Sequence, residues 1–423
     1  MDGDIVITGA GAVTSLGLNP SDTWNSLMEG KTGLSRITEF DPEGFPCRYV
    51  AIVSGLDGDS LNMRHRDARI MNRHAFMLLK ASEDACGDAG LDNAGLGAGD
   101  IGFFAGMGMV DYETEDLLPA IRSSLRSDGG IDYERFYSEG FRESYPLWPL
   151  SMLNNISFCM VAIRLGICGA NTVFSPHADS TFQAVTEGIH LLLDNGAGAV
   201  IAGGVSEKIT PSGLARMLIK GVLNTSDEQP QKCRPFSSER QGALPGEGAG
   251  AVVLETLSGA EKRGVTPLVR VSGYGYGFGL DGGLYPDPGA IAASMEGAMT
   301  MAGVGPGDID LVIAHGDGTP GSDGNEAEAL NSLFAGPACD VMVFSSKGAL
   351  GNMLAGSAAV DVVMALRMLQ EGVVPPTLNS GDPDGMVRFR ISDKPARIPL
   401  NRVMINALSY EGQAATLMVE KLG

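Results

Sequence analysis

Val173-Phe-Ser-Pro176 in the first half of the chain and Val343-Phe-Ser-Ser346 in the second are two copies of one short phrase. Each closes an apolar pair on small residues, and each precedes a run with helical spacing. Each therefore reads as a buried strand feeding a helix. Outward from the first copy, Asp4-Ile-Val-Ile-Thr-Gly-Ala-Gly-Ala-Val13 reads as a strand broken by glycines, 73–90 as a helix stopped at Gly90, and Asp100-Ile-Gly-Phe-Phe-Ala-Gly106 as a strand. Residues 152–166 read as a buried helix, 179–195 as a helix, and Ala197–Gly204 and Gly248–Glu255 as buried strands. The second copy sits in the same grammar. Strands are expected at Pro267–Gly273, Asp308–His315, Val341–Ser346, Arg402–Asn406 and Ala415–Glu420, with helices over 289–303, 325–334 and 352–371. This alternation predicts a duplicated α/β unit with mainly parallel sheets sandwiched by helices. The halves are expected to be 1–256 and 257–423. Residues 110–150, polar and aromatic with little periodicity, read as an excursion or interface region.

Composition supports a large core. The chain has 423 residues, 44% of them hydrophobic and 19% charged, which suits a soluble globular protein and not disorder. Its 59 glycines and few aromatics point to packing by small residues. A formal charge of −21 argues against nucleic acid or anionic membranes as partners. No apolar run is long enough to span a bilayer, and Met1-Asp2-Gly3-Asp4 lacks a basic n-region, so no signal peptide is expected and a cytoplasmic location is. Cys47, Cys86, Cys159, Cys168, Cys233 and Cys339 are scattered without a CxxC pair, so reduced thiols and no metal site are expected. Gly9-Ala-Gly11 and Gly246-Glu-Gly-Ala-Gly250 read as tight sheet packing in preference to nucleotide binding, and no cofactor is expected.

Six segments carry a resemblance. Ala202-Gly-Gly204 precedes Glu207 and Thr210-Pro211. Arg234-Pro-Phe236 is followed by Gly242 and Gly246-Glu-Gly-Ala-Gly250. Ala314-His-Gly-Asp-Gly-Thr-Pro-Gly-Ser-Asp323 with Glu326-Ala327 is similar to HGTGTPxGDxxEA, and Ser345-Ser-Lys-Gly-Ala-Leu-Gly-Asn352 to SxKxxxGH. Val374-Pro-Pro-Thr-Leu-Asn379 and Asn406–Gly412 complete the series. In this order, over nearly the whole chain, they resemble the β-ketoacyl synthases, the condensing enzymes of fatty acid and polyketide synthesis. The resemblance implies a thiolase-like fold, five-layered αβαβα with two pseudo-duplicated halves, that normally dimerises.

In that family a cysteine at a buried helix N-terminus takes the acyl chain, where the helix dipole and backbone N–H groups assist it. Two histidines drive decarboxylation of a malonyl thioester, and a lysine and a glutamate organise the site. Carried over by the motifs, the cysteine falls on Ala178, whose methyl group forms no thioester. The first histidine is His315; the second falls on Asn352, which can donate a hydrogen bond but cannot cycle a proton near neutral pH. The lysine matches Lys347 and the glutamate Glu326. The gating phenylalanine matches Tyr410, flanked by Ser409 and Glu411 in place of glycines, so a stiffer loop is expected.

Each residue has a plainer reading. His177 is either a new nucleophile or base or, more often at such a place, a plug lining the tunnel or its gate. Cys168 reads as a small buried residue and not a displaced nucleophile. The Arg64–Arg73 stretch, with His65 and His74, is either a dock for an acidic carrier protein or one charged helix face. The leading expectation is a non-condensing subunit similar to the chain length factors of type II polyketide systems. It would form a heterodimer with an active ketosynthase, meet acyl carrier protein through that complex and shape the acyl tunnel. Two alternatives are a malonyl-thioester decarboxylase and an active ketosynthase whose cysteine was engineered to alanine.

Overall fold

A computed structural model describes residues 3–109, 114–144, 146–151, 153–280, 282–334 and 341–422. Cys339 and part of the expected 110–150 excursion lie outside them. The first half runs β1 (Ile5–Thr14), α1 (Arg73–Asp88), β2 (Ile101–Met107), α2 (Asn154–Leu165), β3 (Asn171–Phe174), α3 (Asp179–Leu193), β4 (Ala199–Val205) and β5 (Gly248–Thr256). The second runs β6 (Val269–Phe278), α4 (Pro288–Ala302), β7 (Leu311–Ile313), α5 (Pro320–Phe334), β8 (Met342–Phe344), α6 (Ala355–Glu371), β9 (Arg402–Leu408) and β10 (Gln413–Glu420).

The strand order makes the duplication explicit. The first five strands lie in the order β3-β2-β4-β5-β1, and the second five repeat it as β8-β7-β9-β10-β6. The first strands of the two halves, β1 and β6, pair antiparallel over Ile5–Ile7 and Val269–Val271, fusing both sets into one ladder. The sheets are mixed and not mainly parallel. Among the described residues two pairings in the first half are parallel, β2 with β3 and β4, and three in the second, β7 with β8 and β9 and β8 with the short edge strand Arg390–Ile391. The last two strands of each half run antiparallel. In the second half the reason is local: the short turn after Leu408 can join only antiparallel neighbours.

Three apolar clusters separate the layers. The largest holds α3 and α6 between strands of both halves, with Phe182, Val185, Ile189, Val360, Val363 and Leu366 buried beside Val200, Leu254, Ile313 and Leu417. A second packs α1 and α2 on the outer face of the first sheet, and a third packs α4 and α5 on the outer face of the second. The result is the five-layered αβαβα arrangement.

Glycine makes the outer layers possible. A β-carbon on Gly11 of β1 would stand 2.0 Å from the Ala81 carbonyl oxygen of α1, and one on Gly275 of β6 would stand 2.1 Å from that of Ser294 in α4. Both halves use side-chain-free strand positions to seat the following helix. The same glycines obscure β6 in the sequence, because Gly273-Tyr-Gly-Tyr-Gly277 reads as turn signals while the strand continues to Phe278. Helix α4 is capped as its sequence suggests: Asp287 accepts from Ala290 N at 2.7 Å, and Gly303 closes the end at φ +69°.

Two expectations need correction. Helix α2 is not buried: Ser157, Phe158 and Val161 face the core, but Leu153 and Ile163 are exposed, the latter by 68%. Cys168 is exposed and not a core residue. Both flank β3, which ends the sheet on this side and, among the described residues, pairs with β2 alone.

Candidate functional site

The carboxyl ends of the parallel strands hold the singled-out residues. Ala178 follows β3, His315 follows β7, Lys347 and Asn352 follow β8, and Tyr410 follows β9. This is where side chains on α/β sheets converge, because each strand ends in a loop above the sheet edge. Ala178 is the N-cap residue of α3 and is 1% exposed. Its neighbour Asp179 takes up the polar capacity of the helix start. The Asp179 amide donates to Ser409 Oγ at 3.2 Å, the Ser409 hydroxyl donates to Asp179 Oδ1, and Gln183 Nε2 donates to Asp179 Oδ2 at 2.6 Å.

Those bonds fasten the loop that carries Tyr410. Ser409 N also donates to Gln413 O at 2.9 Å, and Glu411 N to Leu284 O at 2.7 Å. Glu411 holds a positive φ of 79° without being glycine. The Tyr410 ring lies edge-on to His177 at 5.3 Å and to Tyr285 at 5.9 Å, with Lys220 Nζ 5.1 Å from its centroid. His177 and Tyr410 are buried, and among the described residues no partner lies within hydrogen-bond distance of the imidazole nitrogens or the phenol oxygen. His177 Nε2 stands 3.9 Å from Glu411 Oε1. Burial and then Lys220 push the His177 pKa down, against Glu411 and Asp179. Burial pushes the Tyr410 hydroxyl well up. Replacing Ser409 by glycine is expected to speed amide exchange over 409–412 about tenfold, the effect of losing one hydrogen bond to a carboxyl group. Exchange mass spectrometry checks this; unchanged protection would mean the loop is held elsewhere.

On the opposite side of the site His315, 3% exposed, accepts from Leu408 N through Nδ1 at 3.4 Å, and its Nε2 lies 3.7 Å from Asp317 Oδ2. Asn352 Nδ2 donates to the same oxygen at 3.3 Å, while its Oδ1 accepts from Leu354 N at 2.9 Å. Both matched histidine positions therefore face Asp317, which is fully buried and also accepts from Thr319 Oγ1 at 2.7 Å. Burial opposes charge on Asp317, but His315 and Thr319 outweigh it and hold the carboxyl below its ordinary range. Asp323 is pushed well above that range by burial and by Asp317. Sequence reading missed Asp317; the available signal was an aspartate where the motif pattern has its first threonine.

Glu326 and Lys347 are fasteners. Glu326 accepts from His315 N and Gly316 N, each at 2.9 Å, and from Asn406 Nδ2 at 3.0 Å. Lys347 Nζ donates to Asp361 Oδ2 on α6 at 2.5 Å. Three thiols are unreactive in character: burial drives Cys47 and the half-buried Cys86 up to about 12 and pushes Cys233 well above its ordinary value. Among the described residues no His, Cys, Asp and Glu group could hold a metal, and no helix is long and apolar enough to cross a membrane.

The basic stretch divides. Arg64, His65, Arg66 and Arg69 line a surface groove with Leu147, Met160 and Ile163. Arg73 turns in to Glu247 at 2.8 Å, and His74 is buried with Nε2 unpartnered among the described residues, its pKa lowered to about 4 by burial and Lys208. A lowered folded-state value means the unfolded chain binds the proton more readily. The contribution is present above the unfolded pKa of about 6.5 and is lost as pH falls toward 4. Between pH 7 and 5 His74 is expected to remove about 2 kcal/mol of stability. Urea titrations of the wild type and His74→Leu check this, and equal pH slopes would contradict it.

The layered duplicated fold and a site gathered from both halves define the thiolase-like class. Within it, the "Beta-ketoacyl synthase, N-terminal domain" family matches residues 2–260 and the "Beta-ketoacyl synthase, C-terminal domain" family matches 269–381. The chain belongs to the β-ketoacyl synthase family. It is 29% identical over 426 residues to 3-oxoacyl-[acyl-carrier-protein] synthase 2 of Coxiella burnetii, covering 99% of this chain and 98% of the relative. It is 27% identical over 424 residues to the enzyme of the same name from Staphylococcus aureus, with the same coverage. Among solved structures, the ishigamide ketosynthase/chain length factor superposes with a TM-score of 0.87 at 24% identity over the whole of both chains. A β-ketoacyl synthase from Burkholderia phymatum gives 0.86 at 23%, covering 99% of this chain and all of that one. A type II polyketide ketosynthase in complex with its acyl-carrier protein gives 0.83 at 22% over the whole of both chains.

Proposed function

We propose that this chain is a non-condensing ketosynthase-like subunit that pairs with an active ketosynthase and shapes the acyl tunnel, in the manner of a chain length factor. The observation that carries the reading is the methyl group of Ala178 at the start of α3, with Asp179 and Ser409 bonded across the same turn. No thioester forms there. Asp317 and Asn352, both departures from the family pattern, are bonded to each other, and Ser409, a third, is bonded to Asp179 beside Ala178; several such changes favour an adapted subunit over an active enzyme with one engineered change. His315 and Asn352 both turn to a buried carboxylate, which disfavours the decarboxylase alternative.

Two surface features support pairing. Strand β3 is an open edge with Asn171 and Thr172 exposed, and Leu147, Leu153 and Ile163 are exposed apolar groups. A ketosynthase that adds to this edge would bury them. The Arg64–Arg69 groove offers cationic contacts for an acidic carrier protein on a surface that is otherwise strongly acidic. Co-expression with a family member that keeps the cysteine and both histidines tests the reading. A stoichiometric complex is expected, with product length set by this chain; consistent purification without the synthase would refute it.

A further inference from the structure

Decarboxylation of a malonyl thioester breaks the bond to its free carboxylate, releases carbon dioxide and leaves the electron pair as an enolate on the thioester. Negative charge is present before and after, so the surrounding groups must tolerate an anion. Here the two residues that match the family's histidines enclose one. Asp317 Oδ2 lies 3.7 Å from His315 Nε2 and 3.3 Å from Asn352 Nδ2. Its other oxygen is engaged by Thr319 through both Oγ1 at 2.7 Å and N at 3.0 Å. The donors that would face an incoming carboxylate already face an internal one.

We infer that Asp317 makes this pocket reject acyl groups that carry a carboxylate while leaving neutral acyl groups unopposed. The inference deepens the non-condensing reading and rests on it. Losing a nucleophile and a proton carrier removes catalysis but does not by itself prevent a malonyl unit from entering. A buried like charge at this position does, because two anions a few ångströms apart in a poorly solvated site repel strongly. The aspartate thus acts on selectivity, separately from Ala178.

The test uses the purified full chain and non-hydrolysable thioether analogues of acetyl- and malonyl-pantetheine, with calorimetric affinities. The wild type is expected to favour the neutral analogue by at least about tenfold, a like-charge penalty typical of partly buried sites. Asp317→Asn, which keeps the shape and removes the charge while turning one amide toward a donor, is expected to bring the two affinities within about twofold by improving the carboxylated ligand alone. Asp317→Thr, the residue in the family pattern, should do the same and guards against a folding defect in either variant. A wild-type ratio near one overturns the inference, as does a ratio that folded variants leave unchanged. Binding of neither analogue to any form also overturns it, since the fastened 409–412 loop would then be what excludes acyl groups. Acetyl-thioester production from malonyl-carrier protein by the wild type would instead overturn the non-condensing reading, whatever the affinity ratio.

Discussion

Replacing Lys347 by methionine is expected to lower the unfolding free energy by about 3–5 kcal/mol, the range for removing one partner of a buried ion pair. Lys347 and Asp361 have side chains 1% and 0% exposed, with Nζ and Oδ2 2.5 Å apart. Their attraction is offset by the cost of taking two charges out of water, so the pair as a whole adds little. Among the described residues a single substitution leaves Asp361 with the Ser346 hydroxyl at 2.6 Å and no counter-charge. The paired change Lys347→Met/Asp361→Leu removes the orphan and is expected to recover at least half of the loss. Urea titrations of the three proteins decide the matter. Equal losses in the single and double variants would show that packing, not charge, is what the lysine supplies.

The second large effect is expected at Glu326. Its two oxygens receive three N–H groups, two from the backbone turn that holds His315 and one from Asn406. Glu326→Ala leaves all three buried and unpaired, at about 1–3 kcal/mol each, so a loss of at least about 3 kcal/mol is expected. Glu326→Gln keeps the volume and one acceptor oxygen but turns an amide toward a donor, and about half that loss is expected. Thermal melting of both variants measures it. Near-equal melting temperatures for the two would argue that the carboxylate fills space and does not anchor the turn.

The duplication was legible because strands at Val173 and Val343 carry the same apolar pair and the same following helix. The paired motifs located Ala178, His315, Lys347, Asn352 and Tyr410 at loops after strands, and the structure gathers all five at one edge of the sheets. What escaped was contact between distant segments. Ser409 reaches Asp179 across most of the chain, and neither residue is unusual in its own neighbourhood. Asp317 sits in a glycine-rich turn, where an aspartate is the ordinary choice for backbone reasons. Only its burial between His315 and Asn352 gives it chemical meaning. Helix α2 was misjudged because its composition is that of a core helix, while one face is left exposed among the described residues.

Strand β3 bears on how such a chain must be supplied. Among the described residues no strand pairs with its outer edge, and the apolar groups beside it lie open. Unpaired edges of this kind zip onto one another. Molecules made in excess of whatever normally covers the edge would associate among themselves and be withdrawn from use. On the proposed pairing, steady yield of usable protein would therefore depend on matched synthesis of this chain and its partner.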